Sequence, residues 1–285
     1  MTPELSQRLA AAGLDPQTVE NLVRTALAED GEVDVTSTPI FAPEDAAAGD
    51  LRARDEGVVA GIPVACVVFE LLDVAYEAKA ADGDRVVSGQ VLISVSGQTR
   101  AVLRAERTAL NLLTHLSGIA TATRLWADAL DGTKARVRDT RKTLPGLRVL
   151  QKYAVHCGGG VNHRMGLQDA ALIKDNHIAA AGSVTKAYEA IRAVYPSLHI
   201  QVECDTLAQV EEALQVGAQS ILLDNMTDAE MAEAVRLVAG RAELEASGGL
   251  TLDRARDVAV TGVDYLAVGA LTHSAHVFDI GLDFS

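Results

Sequence analysis

From residue 135 onward the chain repeats one unit, and that repetition constrains its fold more than anything else in the sequence. Short apolar, β-rich runs recur at 135–138, 170–174, 199–203, 220–224, 243–247 and 264–268. Amphipathic helical stretches follow most of them, at 183–195, 206–216, 227–239 and 252–260. Strands that alternate with helices at this spacing pair in parallel, because each helix provides the crossover that parallel pairing needs. Six or seven such units predict an α/β barrel rather than an open sheet. No G-x-G-x-x-G follows the first strand, which argues against a dinucleotide-binding fold.

The residues before this repeat have a different rhythm. Asp15-Pro16 caps a helix whose stripe is Val19, Leu22, Val23, Ala26 and Leu27. Leu51-Arg52-Ala53-Arg54 and Gly57-Val58-Val59-Ala60-Gly61 read as strand and turn, and 62–72 as a helix. The alternating stretch 82–95, punctuated by Asp82-Gly83 and Ser88-Gly89, reads as two short scaffold strands joined by turns. A long helical pattern covers 104–130, with a break or kink expected near Ser117-Gly118. The domain boundary is expected there, giving an N-terminal α/β domain over 1–117 and a catalytic barrel over 118–273, with a tail at 274–285 packing on the first domain.

At 285 residues the chain is long enough for both domains. Its formal charge of −14 argues against a nucleic-acid surface, which needs a basic face. Basic residues nevertheless cluster between Arg136 and Lys174. The three cysteines, Cys66, Cys157 and Cys204, are far apart and lack C-x-x-C spacing, as expected of free thiols in a reducing compartment. The N-terminal residues lack a basic region followed by an apolar core, and no apolar run is long enough to span a bilayer. A cytoplasmic protein with no membrane partner is the expectation.

In barrels of this kind the chemistry sits at the C-terminal ends of the strands. Here those ends read Arg138-Asp139-Thr140-Arg141-Lys142, Lys174-Asp175-Asn176-His177, Glu203, Asp224-Asn225, Ser247-Gly248-Gly249 and Val268-Gly269-Ala270. The two glycine loops, one running toward a helix N-terminus, fit phosphate. The cations Arg141, Lys142, Arg148, Lys152, His163, Arg164 and Lys174 fit a substrate with several carboxylates or phosphates. Arg148 and Lys152 are spaced i,i+4 and are expected to share a helix face. Glu203 and Asp224 can hold Mg²⁺ or ribose hydroxyls. On these residues alone, a Schiff-base lyase using Lys174 or a non-catalytic phosphate-ligand sensor stays open.

The segments Ala105-Glu106-Arg107-Thr108-Ala109-Leu110-Asn111, 138–146, Gly158-Gly159-Gly160-Val161-Asn162-His163-Arg164, Leu172-Ile173-Lys174-Asp175-Asn176-His177 and Val268-Gly269-Ala270-Leu271-Thr272-His273 together resemble the quinolinate phosphoribosyltransferases. The resemblance covers nearly the whole chain. It implies an N-terminal α/β sandwich followed by an incomplete α/β barrel. It implies transfer of a phosphoribosyl group from phosphoribosyl pyrophosphate to quinolinate with loss of CO₂, Mg²⁺ as cofactor, and a homodimer or larger homo-oligomer with shared sites. A nicotinate-type pyridine phosphoribosyltransferase, without decarboxylation, is the nearest alternative.

Carried over by the resemblance, Arg107 reaches the site from a partner subunit. Thr140, Arg141, Lys142, His163 and Arg164 form the quinolinate pocket, with Arg148 nearby. Lys174, Glu203 and Asp224 contact phosphoribosyl pyrophosphate and Mg²⁺. Ser247, Gly248, Gly249, Val268, Gly269 and Ala270 form the phosphate loops, beside His273. Lys142, Glu203 and Asp224 are the expected catalytic groups. Gly249 stands where many members of the family have Asn.

Overall fold

The computed structural model describes Met1–Ser285. The chain begins with α1 (Pro3–Ala11), α2 (Pro16–Glu29), α3 (Ser37–Ile40), β1 (Ala46–Ala53), β2 (Gly57–Val58), α4 (Ile62–Leu71), β3 (Ala75–Ala78), β4 (Arg85–Val86), β5 (Val91–Gln98) and α5 (Thr99–Ala129). It continues through β6 (Arg136–Arg138), α6 (Arg148–Cys157), β7 (Ala171–Ile173), α7 (Asp175–Ala181), α8 (Val184–Val194), β8 (Ile200–Cys204), α9 (Leu207–Gln215), β9 (Ser220–Asp224) and α10 (Asp228–Val238). It closes with β10 (Glu243–Ser247), a 3₁₀ turn (Leu252–Arg254), α11 (Ala255–Val260), β11 (Tyr265–Ala267), α12 (Ala270–His273) and β12 (Ile280–Phe284). Two compact units result. One joins Met1–Arg124, Leu144–Gly159 and Thr272–Ser285; the other joins Leu125–Thr143 and Gly160–Leu271.

In the first unit an antiparallel sheet has the order β12-β1-β5-β3. α4 is apolar on every side, and Ile62 through Phe69 are all buried, as a helix without a polar face must be. α1 and α2 are one-sided, burying Leu5 and Leu9, and Val19, Val23 and Leu27 respectively. Asp15 accepts from Thr18 N–H and Pro16 opens α2, the expected cap. The strands expected within 82–95 are β4 and β5, but they do not pair with each other: β4 pairs with β2, and β5 with β1 and β3. β12 pairs with β1 across the rest of the sequence, from Ala53↔Ile280 to Gly49↔Phe284.

The break expected at Ser117-Gly118 is absent, and α5 runs unbroken from Thr99 to Ala129. Gly118 is there for space: a Cβ on it would lie 2.0 Å from the His276 carbonyl oxygen. The compact units accordingly do not divide at 117/118. The first takes the chain to Arg124 and later takes back 144–159.

The second unit is an all-parallel six-stranded sheet in the order β6-β11-β10-β9-β8-β7. The first strand pairs with the last, and only β6 and β7 lack a pairing with each other. This is a barrel with one open seam. Ser183, Thr206 and Thr227 cap α8, α9 and α10, each accepting a first-turn N–H.

Candidate active site

Side chains alternate along a strand, so every second residue of the parallel strands faces one side of the sheet. Leu172 and Lys174, Glu203, Leu222 and Asp224, Glu245 and Ser247, and Ala267 follow that alternation. All line one cavity of about 590 Å³, which Thr140, Arg141, Lys142, His163, Arg164, Asn225 and Gly248 complete. Parallel strands buried on both faces normally read as continuous apolar runs. Polar residues at alternate positions of β8 and β10 are therefore the mark of a barrel interior given over to chemistry.

Local bonding sets each group. Asp139, fully buried, accepts the His163 backbone N–H at 2.7 Å. Thr140 Oγ1 accepts the Lys142 N–H at 3.0 Å, turning the chain so that Arg141 and Lys142 both reach the cavity. Arg164 donates from Nη1 to the Ala170 carbonyl at 2.7 Å. Burial first, and the neighbouring Arg141 charge second, pull the Arg164 guanidinium below its usual value; an arginine so placed stays charged at neutral pH. Lys174 donates from Nζ to Glu203 Oε2 at 3.0 Å. Asn225, held at φ 54°, donates to Asp224 Oδ2 at 2.7 Å. Gly248 has φ 91°, and a Cβ there would lie 2.2 Å from the Asn225 side-chain oxygen, so only glycine fits.

Of the residues expected from sequence, Thr140, Arg141, Lys142, His163, Arg164, Lys174, Glu203, Asp224, Ser247 and Gly248 line this cavity. Gly249, Val268, Gly269 and Ala270 are the next residues along the chain from its lining members Gly248 and Ala267. The glycine turn after β10 leads into a 3₁₀ turn rather than directly into an α-helix. Arg107, Arg148 and His273 belong to the other compact unit. There Arg107 lines a cavity of about 640 Å³ with His115, Pro145 and Gly146. Arg148 and Lys152 lie four residues apart on α6, as expected, but Lys152 is fully buried there and does not line the cavity.

Sequence reasoning missed Gln201 and Glu245, and it named Asn225 only as part of a strand end. Gln201 and Glu245 had a legible signal, each standing two residues before a polar strand end, at Glu203 and Ser247. Arg138 is held away from substrate duty: its guanidinium lies 3.6 Å above the Tyr265 ring and donates to Glu245 Oε2 at 2.7 Å.

A parallel barrel with cations on its first loop and carboxylates on neighbouring strand ends defines an enzyme for polyanionic small molecules. Family models for the quinolinate phosphoribosyl transferase N-terminal and C-terminal domains match residues 34–117 and 119–283. The chain is 51% identical over 272 residues to the nicotinate-nucleotide pyrophosphorylase [carboxylating] of Mycobacterium leprae, covering 92% of this chain and 95% of the relative. It is 40% identical over 286 residues to the chloroplastic nicotinate-nucleotide pyrophosphorylase [carboxylating] of Arabidopsis thaliana, covering 92% and 81%. The crystal structure of NadC from Streptococcus pyogenes superposes with a TM-score of 0.92 at 40% identity, covering 95% of this chain and 98% of that one. The chain belongs to the quinolinate phosphoribosyl transferase family.

Proposed function

We propose that this chain transfers the phosphoribosyl group of phosphoribosyl pyrophosphate to quinolinate, releasing pyrophosphate and CO₂ and leaving nicotinate mononucleotide. The observation that carries this reading is the division of charge in one cavity. Arg141, Lys142 and Arg164 stand on one set of loops, and Glu203 and Asp224 on adjoining strand ends.

The three cations suit a dianion with neighbouring carboxylates, and arginine forks can grip such groups two oxygens at a time. The two carboxylates suit the ribosyl side. As the C1–O bond to pyrophosphate breaks, its electron pair leaves with the pyrophosphate oxygen and positive charge grows on the sugar, where Glu203 and Asp224 stabilise it. The pyridine nitrogen lone pair then forms the new C1–N bond. The ring becomes cationic, so the C2–carboxylate bond can break with its electron pair left on C2. Lys142, which lines the same cavity, stabilises that charge, and C2 takes up a proton as CO₂ departs.

Glu203 and Asp224 also fit Mg²⁺. The structure gathers no group of three or more His, Cys, Asp or Glu side chains into a metal cage. Mg²⁺ characteristically takes one or two carboxylates and completes its shell with water and substrate phosphates. When bound it would neutralise charge on the departing pyrophosphate. Gly248 and Ser247 supply backbone at the same mouth for phosphate oxygens.

We further propose that the working form is a homodimer or larger homo-oligomer in which Arg107 serves a partner's cavity. The match of 105–111 to the family pattern supports this. No helix is long and apolar enough to cross a membrane, in keeping with a cytoplasmic enzyme.

The test is release of both CO₂ and pyrophosphate from quinolinate and phosphoribosyl pyrophosphate, with and without Mg²⁺, and with nicotinate in place of quinolinate. Turnover of quinolinate alone supports the reading. Turnover of nicotinate alone replaces it with the non-decarboxylating one.

A further inference from the structure

Below the cavity, β6, β8 and β10 carry a chain of polar groups that ends on His163. Glu245 is 1% exposed and lines the cavity. Its Oε2 accepts from Arg138 Nη1 at 2.7 Å and from Gln201 Nε2 at 3.1 Å. Its Oε1 is buried and has no hydrogen-bond partner. That oxygen lies 3.9 Å from His163 Nε2. His163 Nε2 is itself 2.8 Å from Gln201 Oε1, and its Nδ1 accepts the Arg164 backbone N–H at 2.8 Å.

The proton positions follow from donor and acceptor rules alone. An ionised carboxylate can only accept, so the end of the Gln201 amide that faces Glu245 must be its NH₂. The opposite end, facing His163, is then the carbonyl oxygen, and His163 Nε2 must carry a hydrogen to meet it. In the orientation that the Gln201 contact holds, a backbone N–H points at Nδ1, which is therefore bare. The ring is held as the neutral Nε2–H tautomer, because a second proton would set an N–H against the Arg164 N–H. Asp139 holds the His163 backbone, and Arg138 holds Glu245.

We infer that Glu245 is a positioning residue for the reaction, fixing through Gln201 the tautomer and ring orientation that His163 presents to the pyridine substrate. The imidazole is then an uncharged wall for the aromatic ring, and binding of its carboxylates falls to Arg141, Lys142 and Arg164. The role rests on the reading of the cavity as a quinolinate site; the tautomer does not.

The experiment is ¹⁵N NMR of the histidine rings in the full chain, with His163 assigned from a His163→Gln variant, alongside steady-state kinetics. The wild type is expected to show a protonated Nε2 and a bare Nδ1. Glu245→Gln frees the Gln201 amide to turn its NH₂ toward the ring; Nε2 must then accept, the ring leaves the Arg164 N–H, and the two tautomers should mix. The KM for quinolinate should rise by about tenfold or more, while the KM for phosphoribosyl pyrophosphate stays unchanged. The exchanged pair Gln201→Glu with Glu245→Gln puts the carboxylate directly against the ring and should restore both readouts. An unchanged tautomer in Glu245→Gln, an equal rise in both KM values, or no rescue by the exchange would overturn the role. If Glu245→Gln does not fold, Gln201→Leu cuts the link and leaves Glu245 on Arg138; retention of a pure Nε2–H ring there overturns it equally. A wild type inactive on quinolinate would remove the substrate reading, and the ring spectra would still decide the tautomer.

Discussion

Lysines in one cavity need not do the same work. Lys174 has its charge met by Glu203 at 3.0 Å, whereas Lys142 stands on the loop whose shape Thr140 sets. Lys142→Ala should therefore lower kcat by roughly 10²–10³ with little change in the KM for phosphoribosyl pyrophosphate. Single-turnover release of CO₂ checks this, and an unchanged rate would exclude Lys142 from the decarboxylation step. A second residue gives a pH signature. His115 Nε2 is 2.9 Å from the Gln151 amide nitrogen, which also donates to the Thr272 carbonyl, while the Gln151 side-chain oxygen accepts the Leu144 N–H. The ring must accept there, and burial lowers the His115 pKa. Below the ordinary histidine value of about 6.5 the unfolded chain gains a proton that the folded ring resists, so stability is full above that pH and falls as the pH drops. Urea midpoints measured from pH 7 to pH 5 should decline, and His115→Asn should flatten the decline. The strand-end residues were legible from spacing because a barrel places polar groups at that end. Lys152 was misread because i,i+4 spacing fixes a shared helix face and does not say whether that face is wet.

At the scale of elements, the repeat after residue 135 was legible almost to the residue. β9 and β10 begin and end where the apolar runs do, since buried strands and capped helices both announce themselves locally. α5 was not, because Ser-Gly inside a helix looks like a break when the reason for the glycine lies far away in sequence. Gly118→Ala tests that reason. With a Cβ 2.0 Å from the His276 carbonyl oxygen, the variant should lose about 2 kcal/mol or more. Thermal melts beside far-UV circular dichroism would show a lower midpoint with the helix content retained; an unchanged midpoint would refute the close-approach argument. The pairings of β3 and β12 carry no local mark either, because their partners are set by the sheet rather than by their own composition.

For the whole molecule, the chain order does not follow the order of the units. Segments 144–159 and 272–285 return to the unit that the N-terminal residues begin, and only long-range packing decides that. Arg107, which the family pattern assigns to a partner's cavity, supplies the test at this scale. Arg107→Ala and Lys174→Ala should each abolish turnover while remaining folded. Subunit exchange between them should restore about a quarter of the sites, as expected when half the dimers are mixed and each mixed dimer has one intact site. No recovery after verified exchange would count against sharing.

The pairing of β12 with β1 also orders events during protein synthesis. The first sheet to leave the ribosome lacks its outer strand until residues 280–284 emerge. The barrel strands, complete by residue 267, have no such wait. The unit begun first is therefore finished after the barrel strands, and a nascent chain that lacks 280–284 leaves the β1 edge open to a neighbouring nascent chain.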